Sequence, residues 1–341
     1  MSITPEVTVA DLGERALIAR IKNFLPYAQP SIIVGVGDDA AVVKQDRGMV
    51  TVITTDAAVE DIHFKRAFVS PYDIGYKALA MNLSDLAAMG SSPKHALLSL
   101  MLPSGLSVMS LDEILEGFAS LSNRHSVSLI GGNVTQSSGP LVIDITAIGS
   151  VHKRRILRRN GSQPGDGLYL SGYVGGAAAG LAVLNQMKSS HRSDIYDTCR
   201  QCYLRPEPRV RLGTLLGRNR VARSCIDLSD GLIDAISHLS KSSNVGAALD
   251  ATTIPIEPGA LKWFQNQGID PLKASLSHSD DYELLFTVSP TKRRSLETIC
   301  RLNKDINITR IGTITKNREI TLKSGNQDIS LPQGYEHFRQ Q

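Results

Sequence analysis

The chain has 341 residues, 42% of them hydrophobic, which is enough to bury one large core or two moderate ones. Its formal net charge is +4, the one dense basic run is Lys153, Arg154, Arg155, Arg158 and Arg159, and aromatics make up only 5%, so neither a basic tail nor a base-stacking surface points to nucleic acid. No run of about 18 apolar residues reads as a membrane span, and Glu6, Asp11 and Glu14 argue against a signal peptide, so a cytoplasmic protein is expected.

Strand and helix patterns alternate along the chain, which predicts a mixed α/β architecture. A first helix is expected over 14–25, with Leu17, Ile18, Ile21 and Leu25 on one stripe and Pro26 as its stop. β-branched runs at 32–36 and 50–55 read as strands that lead into aspartates. Residues 73–89 read as a strong helix, capped by Asp73, with Leu79, Leu83 and Leu86 on one face and Gly90 at its end. Another helix is expected over 110–124 and a half-buried strand over 142–148. The basic segment 153–166 marks a boundary, giving domains of 1–152 and 153–341. The second half resumes with a strand at 167–171, a Gly/Ala-rich helix near 175–187, a helix to about 241 capped by Ser229 or Asp230, and a strand at 282–288.

Chemistry is suggested by acidic groups placed where strands or loops meet helices. These are Asp38 and Asp39 in GVGDDAAVV, Asp56 after Thr54 and Thr55, Asp85 within an apolar helix, Asp227 and Asp230 around Ser229, and Asp280 beside Asp281. Carboxylates brought together raise one another's pKa unless a cation neutralises them, and magnesium is the cation that commonly bridges carboxylates to substrate phosphates. Each group also reads as an ordinary turn or cap; Asp85 resists that reading, since an unpaired carboxylate in an apolar helix is costly. His63 alone reads as a satisfied histidine, and the basic run as a solvated face from which Arg159 could clamp a phosphate. There is no GxxxxGK[ST] loop, and SGYVGGAAAG at 171–180 is not GxGxxG. Cys199 and Cys202 have CxxC spacing without a second pair, so the four cysteines read as reduced thiols.

In register, GDDAA, the TTD segment ending at His63, KALAMNLSDLAAMG, IDLSDGL, DYELLFTV, RIGTIT and GYEHF resemble the thiamine-monophosphate kinase family, within the aminoimidazole ribonucleotide synthetase superfamily. The resemblance covers about residues 13–338. It implies an N-terminal domain that pairs with a second copy into a dimeric β-barrel and a C-terminal α/β domain that covers the nucleotide. It further implies that Asp39, Thr54, Thr55, Asp56, Asp85, Asn133, Asp227 and Asp230 hold several magnesium ions, with Asp56, Asp85 and Asp230 central to catalysis. Gly132, Asn133, Arg159 and Ser229 would contact ATP, while His63, Asp280 and Tyr335 would line the thiamine monophosphate pocket. A potassium requirement is left open.

Two positions depart from the family pattern. Asn133 stands where an aspartate is usual, and His278-Ser279-Asp280-Asp281 replaces Gly-Gly-Glu-Asp. Rival readings are another ATP-using enzyme of the superfamily, such as a purine-pathway synthetase or a selenide, water dikinase, and a catalytically dead nucleotide-binding relative. The dikinase usually has a reactive cysteine near its N-terminus, whereas Cys199 is the first cysteine here.

Overall fold

The computed structural model describes residues 7–24, 30–34, 41–186, 196–277 and 279–332. The chain divides into two compact units, one of residues 1–86 and 92–153, the other of 87–91 and 154–341. Both mix strands and helices, as the alternating pattern predicts.

The first unit opens with α1 (Val9–Asn23), where Thr8 N and Oγ1 each donate to Asp11 Oδ2 at 2.8 Å. It begins five residues before the expected start at 14, and Gly13, at φ 72°, breaks the helical path; the apolar stripe is regular only beyond that kink. β1 (Ile32–Val34) pairs antiparallel with β2 (Val42–Val43). β3 (Met49–Val59), α2 (Pro71–Ala88), β4 (Ser92–Pro103), α3 (Val108–His125), β5 (Ser128–Ser137) and β6 (Val142–His152) follow. The strands form a four-stranded sheet in the order β3-β6-β4-β5, antiparallel except for β4 and β5, which α3 connects in parallel.

Burial alternates along this sheet. Ile143, Ile145 and Ala147 of β6 are buried, whereas Asp144, Thr146 and Ile148 are half-buried. The apolar stripes of α2 (Leu79, Leu83, Leu86) and α3 (Leu111, Ile114, Leu115, Phe118, Leu121) are fully or almost fully buried. α2 starts at a Ser70–Asp73 pair: Asp73 N donates to Ser70 Oγ at 3.2 Å and Ser70 Oγ to Asp73 Oδ2 at 2.7 Å. Ser70 is therefore the cap, and Asp73 sits in the first turn, where a carboxylate suits the positive helix end.

The second unit contains β7 (Gly167–Ser171), α4 (Gly176–Gln186), α5 (Asp197–Leu204), α6 (Val210–Arg218), β8 (Ala222–Asp227), α7 (Leu232–Ser243) and β9 (Gly246–Asp250). α8 (Pro258–Asn266), α9 (Pro271–Leu276), β10 (Leu284–Val288), α10 (Arg293–Leu302), β11 (Ile308–Thr315), β12 (Ile320–Ser324) and β13 (Gln327–Ile329) complete it. Its seven-stranded sheet runs β13-β12-β9-β11-β7-β10-β8. Alternate residues enter different cores: Ile226 and Leu285 pack with Ile236 and Leu239 of α7, while Cys225 and Phe286 pack with Leu212 and Leu216 of α6 and Leu296 of α10. Both faces of the sheet are thus covered. α7 begins at Gly231, at φ 108°, with no side-chain cap; neither Ser229 nor Asp230 caps it, because the chain needs a glycine conformation there.

Among the described residues the first sheet stays open, with β3 and β5 at its edges, and no helix is long and apolar enough to cross a membrane.

Candidate functional site

The side chains singled out in the first unit divide between the two faces of its sheet. On β3, Thr54 and Asp56 pair with Ala147 and Ile145, whose side chains are on the buried face. There Thr54 Oγ1 donates to Asp85 Oδ2 of α2, so the carboxylate carried by that apolar helix has a hydroxyl partner from the strand. Asp85 itself is half-buried in a helix whose neighbouring positions, Asn82, Leu83, Ser84 and Leu86, are fully buried.

Thr55 points the other way. Its hydroxyl donates to Asp144 Oδ1 at 3.1 Å and accepts from Thr146 Oγ1 at 3.2 Å, on the open face. Asn133 lies opposite Ser99, and Ser99 opposite Asp144, so Asn133 continues the same row. Asp144 was not singled out from the sequence, although it stands in the alternating VIDITAI strand. Gly132 is opposite Leu98, and a Cβ there would fall 1.9 Å from the Leu98 carbonyl oxygen, so only glycine fits this strand contact. His63 follows β3 in a turn, where its Nδ1 accepts from Val59 N at 3.1 Å.

In the second unit, Asp227 ends β8 and is 4% exposed. The turn after it presents Ser229 and Asp230, with Ser229 Oγ 3.4 Å from Asp230 Oδ2. Arg159 is exposed on a segment that runs beside β8, where the preceding carbonyl of Arg158 accepts from Cys225 N at 2.8 Å. Asp234, one turn along α7, senses both: burial raises its carboxyl above the usual range, His238 and Arg159 oppose the rise, and Asp230 adds to it. His238 Nε2 lies 3.2 Å from Asp234 Oδ2.

The segment before β10 holds Asp280, half-buried, whose charge raises the buried Tyr203 phenol further after desolvation has done most of the work. Asp281, next to it in the chain and also half-buried, accepts from Gly175 N at 2.8 Å and Ala177 N at 2.9 Å, at the start of α4. Burial pushes its carboxyl up to about 6, against these amide hydrogen bonds and with help from Asp280. Glu283, also unassigned by sequence reasoning, is ion-paired with Arg209. Its only sequence signal is its place inside DYELLFTV.

Asp39 and Tyr335 lie outside the described residues, as do Asp38 and His278. Among the described residues no three or more His, Cys, Asp or Glu side chains form a metal-binding group. The donors that are described are hydroxyl, carboxylate and amide oxygens, the hard ligands that magnesium prefers, with no thiolate or imidazole among them. The cysteines are unsuited to soft-metal chemistry: Cys199 Sγ donates to Glu257 Oε2 at 2.9 Å, and burial, first of all, pushes the Cys202 thiol up to about 12.

Residues 37–151 match the AIR synthase related protein N-terminal domain, and 163–325 match its C-terminal domain. The chain is 35% identical to the thiamine-monophosphate kinase of Escherichia coli (strain K12), over 96% of this chain and 98% of that protein. The crystal structure of thiamine-monophosphate kinase from Stenotrophomonas maltophilia K279a superposes with a TM-score of 0.81 at 35% identity, covering 92% of this chain and 97% of that one. A structure of AaThiL complexed with AMPPCP and TMP gives a TM-score of 0.76 at 28% identity, covering 99% of this chain and all of that one. With identity and fold agreeing over nearly its whole length, the chain belongs to the thiamine-monophosphate kinase family.

Proposed function

We infer that the protein transfers the γ-phosphoryl group of ATP to thiamine monophosphate, yielding thiamine diphosphate and ADP. The observation that carries this is the 35% identity to a thiamine-monophosphate kinase over 96% of the chain. The relative solved with both AMPPCP and TMP supports a reaction in which nucleotide and acceptor are bound together.

A phosphate oxygen of thiamine monophosphate attacks the γ-phosphorus in line as the bond to the β-γ bridging oxygen breaks, and ADP leaves with that electron pair. The attacking phosphate is already ionised near neutral pH, so no strong general base is required. The protein's work is positioning and charge compensation. Magnesium, when bound, neutralises phosphate charge and orients the reacting groups. Thr54, Asp56 and Asp85 would hold it on one face of the first sheet, and Thr55 and Asn133 on the other, where Asp144 offers a carboxylate that the neutral Asn133 lacks. By the family pattern Asp39 would be a metal ligand in the first unit, and Asp227 and Asp230 would be metal ligands in the second.

Gly132 lets the nucleotide approach the β5 backbone, and the Ser229 hydroxyl and Arg159 guanidinium bind it. His63, Asp280 and Tyr335 form the acceptor pocket, where a carboxylate suits the cationic thiazolium. The first domain, 1–152, is assigned the nucleotide, the metals and dimerisation, and 153–341 the cover over the nucleotide. The open face of the first sheet, with Ile53 65% exposed on it, is assigned to a homodimer whose paired sheets close a barrel. The cytoplasm, where ATP is abundant, is the proposed location.

Purified protein with ATP, magnesium and thiamine monophosphate tests the reading, with thiamine diphosphate measured by chromatography. Product formation is expected, and replacing potassium with sodium in the same assay tests the monovalent requirement. Nucleotide binding without product would favour a dead relative, and turnover with another acceptor alone would favour a different enzyme of the superfamily.

A further inference from the structure

Resting on that function, we propose that the pair formed by half-buried Arg209 and buried Glu283 is a positioning device for the acceptor and metal loops of the second unit. Arg209 Nε donates to Glu283 Oε2 at 2.7 Å and its Nη2 donates to Oε1, the forked geometry by which arginine fixes a carboxylate in orientation as well as place. Ser171 Oγ donates to the same Oε2 at 2.5 Å and itself accepts from Leu284 N at 2.8 Å. Glu283 is only 5% exposed. Gly172 makes room for the carboxylate: a Cβ at that position would lie 1.8 Å from Oε1.

What this clamp holds is a pair of loops. Tyr282 N donates to the Leu228 carbonyl at 2.9 Å, and Leu228 N donates to the Glu283 carbonyl at 2.9 Å. Leu228 lies between Asp227 and Ser229, and Tyr282 lies two residues after Asp280. The reciprocal bonds therefore lock the turn carrying Asp227 and Asp230 to the segment carrying Asp280. Tyr282 is left-handed, at φ 52°, an unfavourable conformation for a side chain of that size that must be imposed by its surroundings. Asp281 anchors the preceding step to the start of α4. A further tight fit seals the two loops, since a Cβ on Gly231 would lie 2.2 Å from the Ser277 carbonyl oxygen. Neither Arg209 nor Glu283 needs to touch substrate; the pair acts by fixing the backbone from which Asp280 and Asp230 extend.

A purely structural pair and a positioning pair predict different outcomes for a neutral replacement. Arg209→Met combined with Glu283→Gln removes both charges together, leaves no orphaned buried ion, and keeps an oxygen for Ser171. The expected double variant stays folded, with an unchanged circular dichroism spectrum, yet its kcat/KM for thiamine monophosphate falls about 10²-fold, as small misplacements of reacting groups do. The loss should appear in both kcat and the acceptor KM. A folded double variant with parental kcat and KM overturns the proposal. If the double variant does not fold, Arg209→Lys decides: it keeps the charge but loses the fork, and parental kinetics for it overturn the proposal equally. An inactive parent chain in the same assay counts against the proposed function, whereas an active parent with unaffected variants counts against the positioning role alone.

Discussion

Thr54 and Asp85 are 31 residues apart in sequence, yet the Thr54 hydroxyl donates to the Asp85 carboxylate and joins the edge strand β3 to the central helix α2. A carboxylate on an otherwise apolar helix needs such a partner, and a carboxylate that accepts a hydroxyl hydrogen bond remains a hard oxygen ligand of the kind magnesium takes. Asp85→Asn keeps the shape and removes the charge. It should lower kcat by about 10²-fold or more while leaving the fold intact. Thr54→Val should act more gently, raising the magnesium concentration needed for half-maximal rate by about 10- to 100-fold, the usual effect of removing a support for a metal ligand. Rates measured across a magnesium titration check both, and near-parental curves would count heavily against the metal assignment.

The helix pair under that site depends on two glycines. A Cβ at Gly75 of α2 would lie 1.9 Å from the Ile114 carbonyl oxygen, and a Cβ at Gly117 of α3 would lie 1.9 Å from the Tyr72 carbonyl oxygen. Both obstacles are backbone, so the helices themselves must separate. Alanine improves intrinsic helix propensity by about 1 kcal/mol. Overpacking of this kind costs about 1–3 kcal/mol, and more where backbone must move. Gly75→Ala and Gly117→Ala should therefore each lower the urea midpoint of unfolding, and a raised midpoint would mean that the helices are not in contact there.

Legibility in the sequence followed the range of the interaction. The Leu79, Leu83 and Leu86 stripe, the Gly90 stop and the VIDITAI alternation are local periodicities, and the corresponding helix and strand lie where those patterns place them. Helix starts were read less well. Ser70 and Asp73 form a capping pair, whereas the sequence pattern points to Asp73 alone as the cap. α7 starts on a glycine conformation that no capping rule signals. The partners of Glu283 were not legible at all, since Arg209 and Ser171 are 74 and 112 residues away from it. Thr54 and Thr55 are adjacent in sequence and suggest a single ligand group, yet a strand sends consecutive side chains to opposite faces.

Asp281 gives the chain a pH dependence of definite sign. Burial disfavours its charge and pushes its folded carboxyl up to about 6, from the ordinary value of 3.8. Between about pH 4 and pH 6 the folded protein thus holds a proton that the unfolded chain has released. Stability contributed by this group is then highest at the acid end of that window, falls as pH rises through it, and levels off above about 6. The shift corresponds to a change on the order of 3 kcal/mol. Asp281→Asn cannot ionise and should lack this decline, though it loses an acceptor for the Gly175 or Ala177 amide at a cost of about 1 kcal/mol. Urea unfolding of parent and variant at matched pH values gives a difference curve in which titrations common to both cancel. That curve should slope downward for the parent from pH 4 to 6 and be flat beyond; a curve flat throughout would mean that Asp281 is ionised across the whole range, and that the two amides outweigh its burial.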